Sequence, residues 1–200
     1  MTKSFTNAER IFIENNGILR TGQAKRLGID PKILARMVGA GLLVKESRGL
    51  YRLANLPPLS NPDLVTMALK VPHGVVCLIS ALSFHNMTTQ MPYKVYIAIP
   101  RKYRIPKFEY PPIDVFRVSE NVYNAGIEEH DVDGVKVRIY NKEKTIADCF
   151  KFRKKIGKNI AIEALKDYIR DPGSKIESLL VYAEIDRVSN IMQPIIEAIE

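Results

Sequence analysis

The chain has 200 residues, 46% of them hydrophobic, with a formal net charge of +8 and two cysteines. That length suits one or two domains with a sizeable core, and no apolar run approaches the roughly 20 residues a membrane span requires. The start, Met1-Thr2-Lys3-Ser4-Phe5-Thr6, lacks the apolar stretch of a secretion signal, and Cys77 and Cys149 fall in predicted helices with no framework spacing, so the expectation is a cytoplasmic protein with reduced thiols.

The first predicted helix runs from Phe5 to Asn15, where Ala8, Ile11, Phe12 and Asn15 recur at the helical period and Gly17 supplies a stop. Thr21 is placed to cap a short second helix, Gly22–Leu27, which Gly28 ends. Asp30-Pro31 opens a third: the Asp side chain accepts from free amide groups, and Pro at the first helical position loses no hydrogen bond. Leu42-Leu43-Val44 and Leu50-Tyr51-Arg52-Leu53 then form a two-stranded ribbon around the polar loop Lys45-Glu46-Ser47-Arg48-Gly49. Three short helices followed by a ribbon is the order of a winged helix-turn-helix, which sets one helix in the DNA major groove and a wing on the flanking backbone.

Charge follows the same division. Residues 1–56 carry ten basic side chains against four acidic ones (Glu9, Glu14, Asp30, Glu46), whereas the rest of the chain is close to neutral, with 20 basic and 18 acidic. A locally basic module on a neutral body suits a polyanionic partner.

Asn55-Leu56-Pro57-Pro58-Leu59-Ser60-Asn61-Pro62 reads as an extended linker, because its prolines stop helix and central strand alike. The expected domains are therefore residues 1–56 and 57–200. Beyond the linker, Asn61-Pro62 caps a helix to about Lys70, and Gly74–Asn86 reads as a buried apolar helix. Tyr93–Ile99 and Ile113–Val118 read as strands separated by the Pro-rich segment Pro100–Pro112. Ile127–Asp131 and Val135–Tyr140 flank Val132-Asp133-Gly134, a strong hairpin signal. Helices follow at Lys142–Ile156, Asn159–Ile169, Lys175–Ala183 and Ile185–Ile199, with Pro194 expected to kink the last. The fold class is α+β: an N-terminal winged helix-turn-helix, then a domain with a small mixed or antiparallel sheet and a helical end.

On the third helix, Leu34, Met37 and Val38 form the apolar stripe, with Ile33 at its edge. Lys32, Ala35, Arg36 and Gly39 lie on the opposite face, which would enter the groove. Arg36 is the candidate for bidentate reading of a guanine edge; Lys32 reaches a base or a phosphate, and Ala35 and Gly39 allow close approach. Thr21, Lys25 and Arg26, with Lys45, Ser47 and Arg48 of the wing, are candidates for phosphate contacts, which position the module without reading sequence. The alternative is a protein-docking module whose basic residues are solvated surface.

Gly17-Ile18-Leu19-Arg20, Ala24-Lys25-Arg26-Leu27-Gly28-Ile29, Gly41-Leu42-Leu43 and Arg48-Gly49-Leu50-Tyr51-Arg52-Leu53 resemble the N-terminal domain of AbiEi-type antitoxins, the transcriptional regulators of type IV toxin–antitoxin (abortive infection, phage defence) systems. The second domain resembles them at Ile79-Ser80-Ala81-Leu82-Ser83-Phe84-His85-Asn86-Met87-Thr88 and at Glu143-Lys144-Thr145-Ile146-Ala147-Asp148-Cys149-Phe150-Lys151, so the likeness spans about residues 5–190. The resemblance implies a bacterial repressor that binds operator inverted repeats near its own promoter, with self-association on the double-stranded DNA left open. It also implies an antitoxin opposing a nucleotidyltransferase-like toxin encoded alongside, with antitoxin activity associated with the C-terminal domain. A stand-alone regulator of the same family, without a toxin, would share these features. Lys144 departs from the family's Glu-Arg-Thr version, keeping the charge but losing a fork of parallel donors.

In the helix from Lys142, Ile146, Cys149, Phe150 and Ile156 form the buried stripe, Asn141 is the N-cap, and Glu143 suits the helix dipole. Asp148 falls off the stripe, where it would pair with a neighbouring cation; Arg153 falls on it as a partly buried anchor. Lys151, Arg153, Lys154, Lys155 and Lys158 form a second basic cluster, by default a solvated helix end. With Asp148 they are the candidate second-domain surface, for a second DNA contact, an acidic partner or a nucleotide.

Catalysis needs a convergent set that this sequence does not supply. His73 and Cys77 stand four apart, but two ligands do not make a zinc site. The only acidic-x-Lys triplet opens a helix, Asp30-Pro31-Lys32, and neither a Gly-rich phosphate loop nor Gly-x-Ser-x-Gly is present. The expectation is a non-enzyme with no cofactor, no metal and no membrane association.

Overall fold

The computed structural model describes residues 3–199. It is a mixed α+β chain that divides into two compact units. The first takes the residues up to Lys70 together with Asp131–Lys136; the second takes Val71–His130 and the residues from Val137 on. Among the described residues no helix is long and apolar enough to cross a membrane.

Unit 1 runs α1 (Lys3–Glu14), β1 (Ile18–Arg20), α2 (Thr21–Arg26), α3 (Pro31–Gly39), β2 (Leu43–Ser47), β3 (Leu50–Leu53) and α4 (Pro62–Lys70). Its core holds Ala8, Ile11 and Phe12 of α1, Ala24 of α2, Leu34 and Met37 of α3, and Leu19, Leu43 and Leu53 of the strands. Ala8, Ile11, Phe12, Leu34 and Met37 are positions that the helical period singles out. Asp30 caps α3, accepting from the Lys32 amide at 2.7 Å, with Pro31 at the first position.

Three details differ from expectation. The sheet has three strands, in the order β1-β3-β2, because Ile18-Leu19-Arg20 pairs antiparallel with Leu50-Tyr51-Arg52; three residues are too short to show a period. The N-cap of α2 is Arg20, whose amide donates to Gln23 Oε1 at 3.0 Å; Thr21 is already helical. The loop between β2 and β3 is only Arg48-Gly49, because a register shift between Lys45 and Ser47 keeps both residues in strand β2.

A five-stranded mixed sheet of order β6-β5-β4-β8-β7 belongs to unit 2 except for the adjoining ends of β7 and β8 and their turn, which count with unit 1. Its strands are β4 (Val75–Val76), β5 (Val95–Pro100), β6 (Ile113–Val118), β7 (Ile127–Val132) and β8 (Val135–Tyr140). β5 is buried from Val95 to Ile99 and runs parallel to β6; β4 runs antiparallel to β5 and parallel to β8. The β7–β8 turn is Asp133-Gly134, with φ of 52° and 79°, the left-handed pair that a two-residue hairpin needs. The helices are α5 (Leu78–Phe84), α6 (Glu120–Asn124), α7 (Lys142–Lys151), α8 (Arg153–Ile156), α9 (Lys158–Arg170), α10 (Ile176–Asp186) and α11 (Ser189–Glu197).

The expected helix Gly74–Asn86 is instead strand β4 followed by α5, because Val75 and Val76 pair with Ala98 and Ile97 of β5. A buried apolar run fits either element, and strand pairing decides between them. The expected Lys142–Ile156 helix breaks at Phe152 into α7 and α8. Arg187, left-handed at φ 59°, separates α10 from α11, and α11 continues through Pro194. α7 lies at the centre of the unit: all seven residues from Lys144 to Phe150 are buried, three of them polar.

Candidate nucleic-acid interface

Helix α3 presents Lys32, Ala35, Arg36 and Gly39 to solvent while Leu34 and Met37 are buried, so its two faces separate as the helical period requires. Arg36 has a neighbour that spacing did not reveal: its guanidinium lies 5.2 Å over the Phe5 ring, which holds the side chain against α1. Lys25 and Arg26 are exposed on the last turn of α2, Lys45 is exposed on β2, and Arg48 is exposed in the turn after it. Ser47 is half-buried, and its Oγ has no hydrogen-bond partner.

Thr21 joins two of these elements. Its amide donates to the Gly49 carbonyl at 2.9 Å, and its hydroxyl lies 3.5 Å from the same oxygen. The start of α2 and the hairpin turn are therefore one connected surface, and Thr21 is committed to that junction.

The charge asymmetry sharpens in three dimensions. Arg10 pairs with Glu14, and Arg20 donates to the Leu69 carbonyl at 2.7 Å. Arg52 is buried, pairs with Glu46 at 2.5 Å and donates to the Leu53 and Leu56 carbonyls. These three serve the fold. Lys25, Arg26, Lys32, Arg36, Lys45 and Arg48 are all exposed, and none has a carboxylate within ion-pair distance among the described residues.

Unit 2 shows a different arrangement. Lys144 is fully buried, and its Nζ lies 2.6 Å from Asp148 Oδ1, 3.0 Å from Asp186 Oδ2 and 4.6 Å over the Tyr140 ring. Lys151 completes the set, 3.0 Å from Asp186 Oδ1. Two cations thus face two carboxylates, tying α7 to α10. Burial alone would lower the Lys144 pKa, but Asp148 and Asp186 outweigh it and hold the ammonium above the usual lysine value. Burial pushes the Asp148 carboxyl up to about 7 against the pull of Lys144, and its Oδ2 has no partner. Asp186 lies 42 positions from Lys144, so no local spacing could have found it.

The neighbouring motif residues also turn inward. Asn141 caps α7 by accepting from the Lys144 amide at 2.8 Å and donates to Tyr182 Oη at 3.0 Å. Glu143 accepts from Tyr168 Oη at 2.6 Å, and Thr145 donates to the Tyr140 carbonyl at 3.2 Å. His85 Nε2 lies 2.7 Å from that same carbonyl. Burial raises the thiol pKa values of Cys77 and Cys149, which keeps both protonated and unreactive.

The six candidate residues of the second domain do not form one surface. Asp148 is buried because it balances Lys144, and Lys151 is occupied by Asp186. Arg153 is half-buried and donates to the Phe150 carbonyl at 2.7 Å. Lys154, Lys155 and Lys158 are exposed, with Lys155 Nζ 5.0 Å over the Phe116 ring. Among the described residues no group of three or more His, Cys, Asp or Glu side chains is placed to hold a metal ion.

A family model described as transcriptional regulator, AbiEi antitoxin, matches residues 8–54. The crystal structure of the RV2827C protein from Mycobacterium tuberculosis shares the fold, with a TM-score of 0.57 at 14% identity over 95% of this chain and 80% of that one. No curated protein matches the chain in sequence.

Proposed function

We propose that this chain is a sequence-specific, DNA-binding transcriptional repressor whose residues 1–56 form a winged helix-turn-helix. In this reading α3 enters the major groove, Arg36 reads a base edge and Lys32 supports it, while Ala35 and Gly39 let the helix backbone approach. Lys25, Arg26, Lys45 and Arg48 hold the phosphate backbone on either side, with Ser47 and the Thr21 junction between them. The observation that carries the proposal is the set of six exposed cations on α3, the end of α2, β2 and the turn after it. They have no carboxylate partners among the described residues, while the remaining described arginines of the module are engaged: Arg10 in a surface pair with Glu14, Arg20 by the Leu69 carbonyl and Arg52 by Glu46.

The family match over residues 8–54 supports a further step: the chain acts as the antitoxin of a type IV pair and represses its own operon through inverted repeats. Residues 57–200 then carry the activity against an adjacently encoded, nucleotidyltransferase-like toxin in the bacterial cytoplasm, without catalysis of their own. The inward-turned motif of α7 supports a scaffolding role for its polar residues.

The test is fluorescence anisotropy of the full chain on its own upstream duplex and on a scrambled duplex across a salt series, with Arg36→Ala alongside. Preference for the upstream duplex, steep weakening with salt and loss of discrimination in Arg36→Ala are the expected results. Equal, weak binding to both duplexes refutes operator reading.

A further inference from the structure

β5 and β6 run parallel, so the chain must cross from the end of one to the start of the other, a path that is usually helical. Here residues 101–112 make the crossing with no helix or strand. Connections without secondary structure become uncommon beyond about 12–15 residues, where they are binding loops or flexible linkers, and this crossing lies at the lower edge of that range. Arg101-Lys102-Tyr103-Arg104-Ile105-Pro106-Lys107-Phe108-Glu109-Tyr110-Pro111-Pro112 interleaves four cations and three aromatic rings with a single carboxylate, that of Glu109.

Both ends of the crossing are fixed. Arg117 donates to the carbonyls of Arg101 and Tyr103 at 3.3 and 2.7 Å, and the Tyr103 ring lies 4.7 Å from the His73 ring. At the other end the Val95 amide donates to the Pro112 carbonyl at 2.9 Å, and Val95 stands opposite Ile113. That register brings Tyr93 to the same end of the strand pair as Tyr110. Tyr93 is 80% exposed and Tyr110 43%. Arg101, Lys102, Arg104 and Lys107 are exposed, and none has a carboxylate within ion-pair distance among the described residues.

Exposed rings offer faces on which unpaired bases stack, and unpaired cations along the same segment track phosphates. In a duplex the base faces are already occupied, so this chemistry selects a single strand. We propose that the 101–112 crossing, with Tyr93, is a binding site for single-stranded nucleic acid, independent of the operator face in unit 1.

The test uses the full chain, with fluorescein-labelled oligouridine, oligothymidine and a random duplex as probes. The Tyr93→Ala/Tyr110→Ala variant should weaken binding of at least one single strand by about tenfold or more, and Tyr93→Phe/Tyr110→Phe should restore it. The Arg101→Ala/Lys102→Ala/Arg104→Ala variant should flatten the salt dependence by about 0.7 per lost phosphate contact. Lys32→Ala/Arg36→Ala on α3 should leave single-strand binding intact while weakening the duplex, which separates this site from the operator reading. Loss confined to oligouridine assigns the site to RNA; loss on both single strands makes it sugar-tolerant. Three results overturn the proposal: neither single strand binds, the Tyr→Ala variant binds as tightly as the parent, or the α3 variant abolishes single-strand binding.

Discussion

Replacing Lys144 with Met tests how far the stability of unit 2 depends on its buried charges. Met keeps most of the unbranched stem, so packing is largely retained while the ammonium is lost. Two buried carboxylates then face one cation: Asp186 keeps Lys151, but Asp148, 2.6 Å from the lost Nζ, has nothing to balance it. Breaking a buried pair from one side costs about 3–5 kcal/mol, because Asp148 must then either stay charged out of water or take up a proton. In a chain of this length that lowers the melting temperature by roughly 2–4 °C per kcal/mol, so about 6–20 °C. Adding Asp148→Asn removes the orphaned charge and should recover much of the loss, a coupling of about 0.5–3 kcal/mol in the double-mutant cycle. The chain has no tryptophan and nine tyrosines, so urea unfolding can be followed by tyrosine emission alongside far-UV circular dichroism. A loss below about 1 kcal/mol in Lys144→Met, or no recovery in the double variant, would falsify this account of the cluster.

Other predictions follow from single contacts. Gly126 has φ 71°, and a Cβ there would stand 2.7 Å from Lys144 Cβ, so Gly126→Ala should cost about 2–4 kcal/mol in the same unfolding assay; a near-neutral result contradicts the close approach. Burial holds the His85 imidazole below the usual histidine pKa, so the unfolded chain binds that proton more readily and stability contributed by neutral His85 is lost as pH falls below about 6.5. Asp148, raised by burial, acts in the opposite sense: its contribution grows as pH falls from about 7. The histidine effect is therefore read as the difference between parent and His85→Gln from pH 7.5 to 5.5, and parallel curves contradict it. Lys25→Ala, Arg26→Ala and Arg48→Ala should each reduce the salt slope of duplex binding by about 0.9, equally on upstream and scrambled DNA; a change in discrimination instead would assign that residue to base reading.

What the sequence made legible was local. The Asp30-Pro31 cap, the Asp133-Gly134 turn, the Asn141 cap and the two faces of α3 each depend on neighbours within a few residues, where chemistry and spacing suffice. Strand β1 was not legible, because three residues carry no period and its pairing partner lies some thirty positions on. Gly74–Asn86 was misjudged because Val75 and Val76 are strand only by virtue of β5. Asp148 was expected to pair with a neighbouring cation, but neither the choice of Lys144 nor the burial of the pair was legible, since Asp186 reaches it from α10. Likewise Arg52 and Arg20 entered only the count of basic side chains, and the fold shows that their hydrogen bonds are spent on backbone carbonyls.

The junction at Thr21 bears on the kinetics of association. A wing that hangs free must be ordered each time it meets DNA, and that ordering slows productive docking and weakens the complex. Here β1 pairs with β3, and the Thr21 amide holds the Gly49 carbonyl, so the hairpin turn is already tied to the start of α2. If unit 1 binds DNA as proposed, encounter requires no loop closure, and its rate should follow long-range attraction between charges, falling with ionic strength. On the proposed reading, the β2–β3 turn would serve less as an arm that reaches for the backbone than as a fixed edge of the docking face.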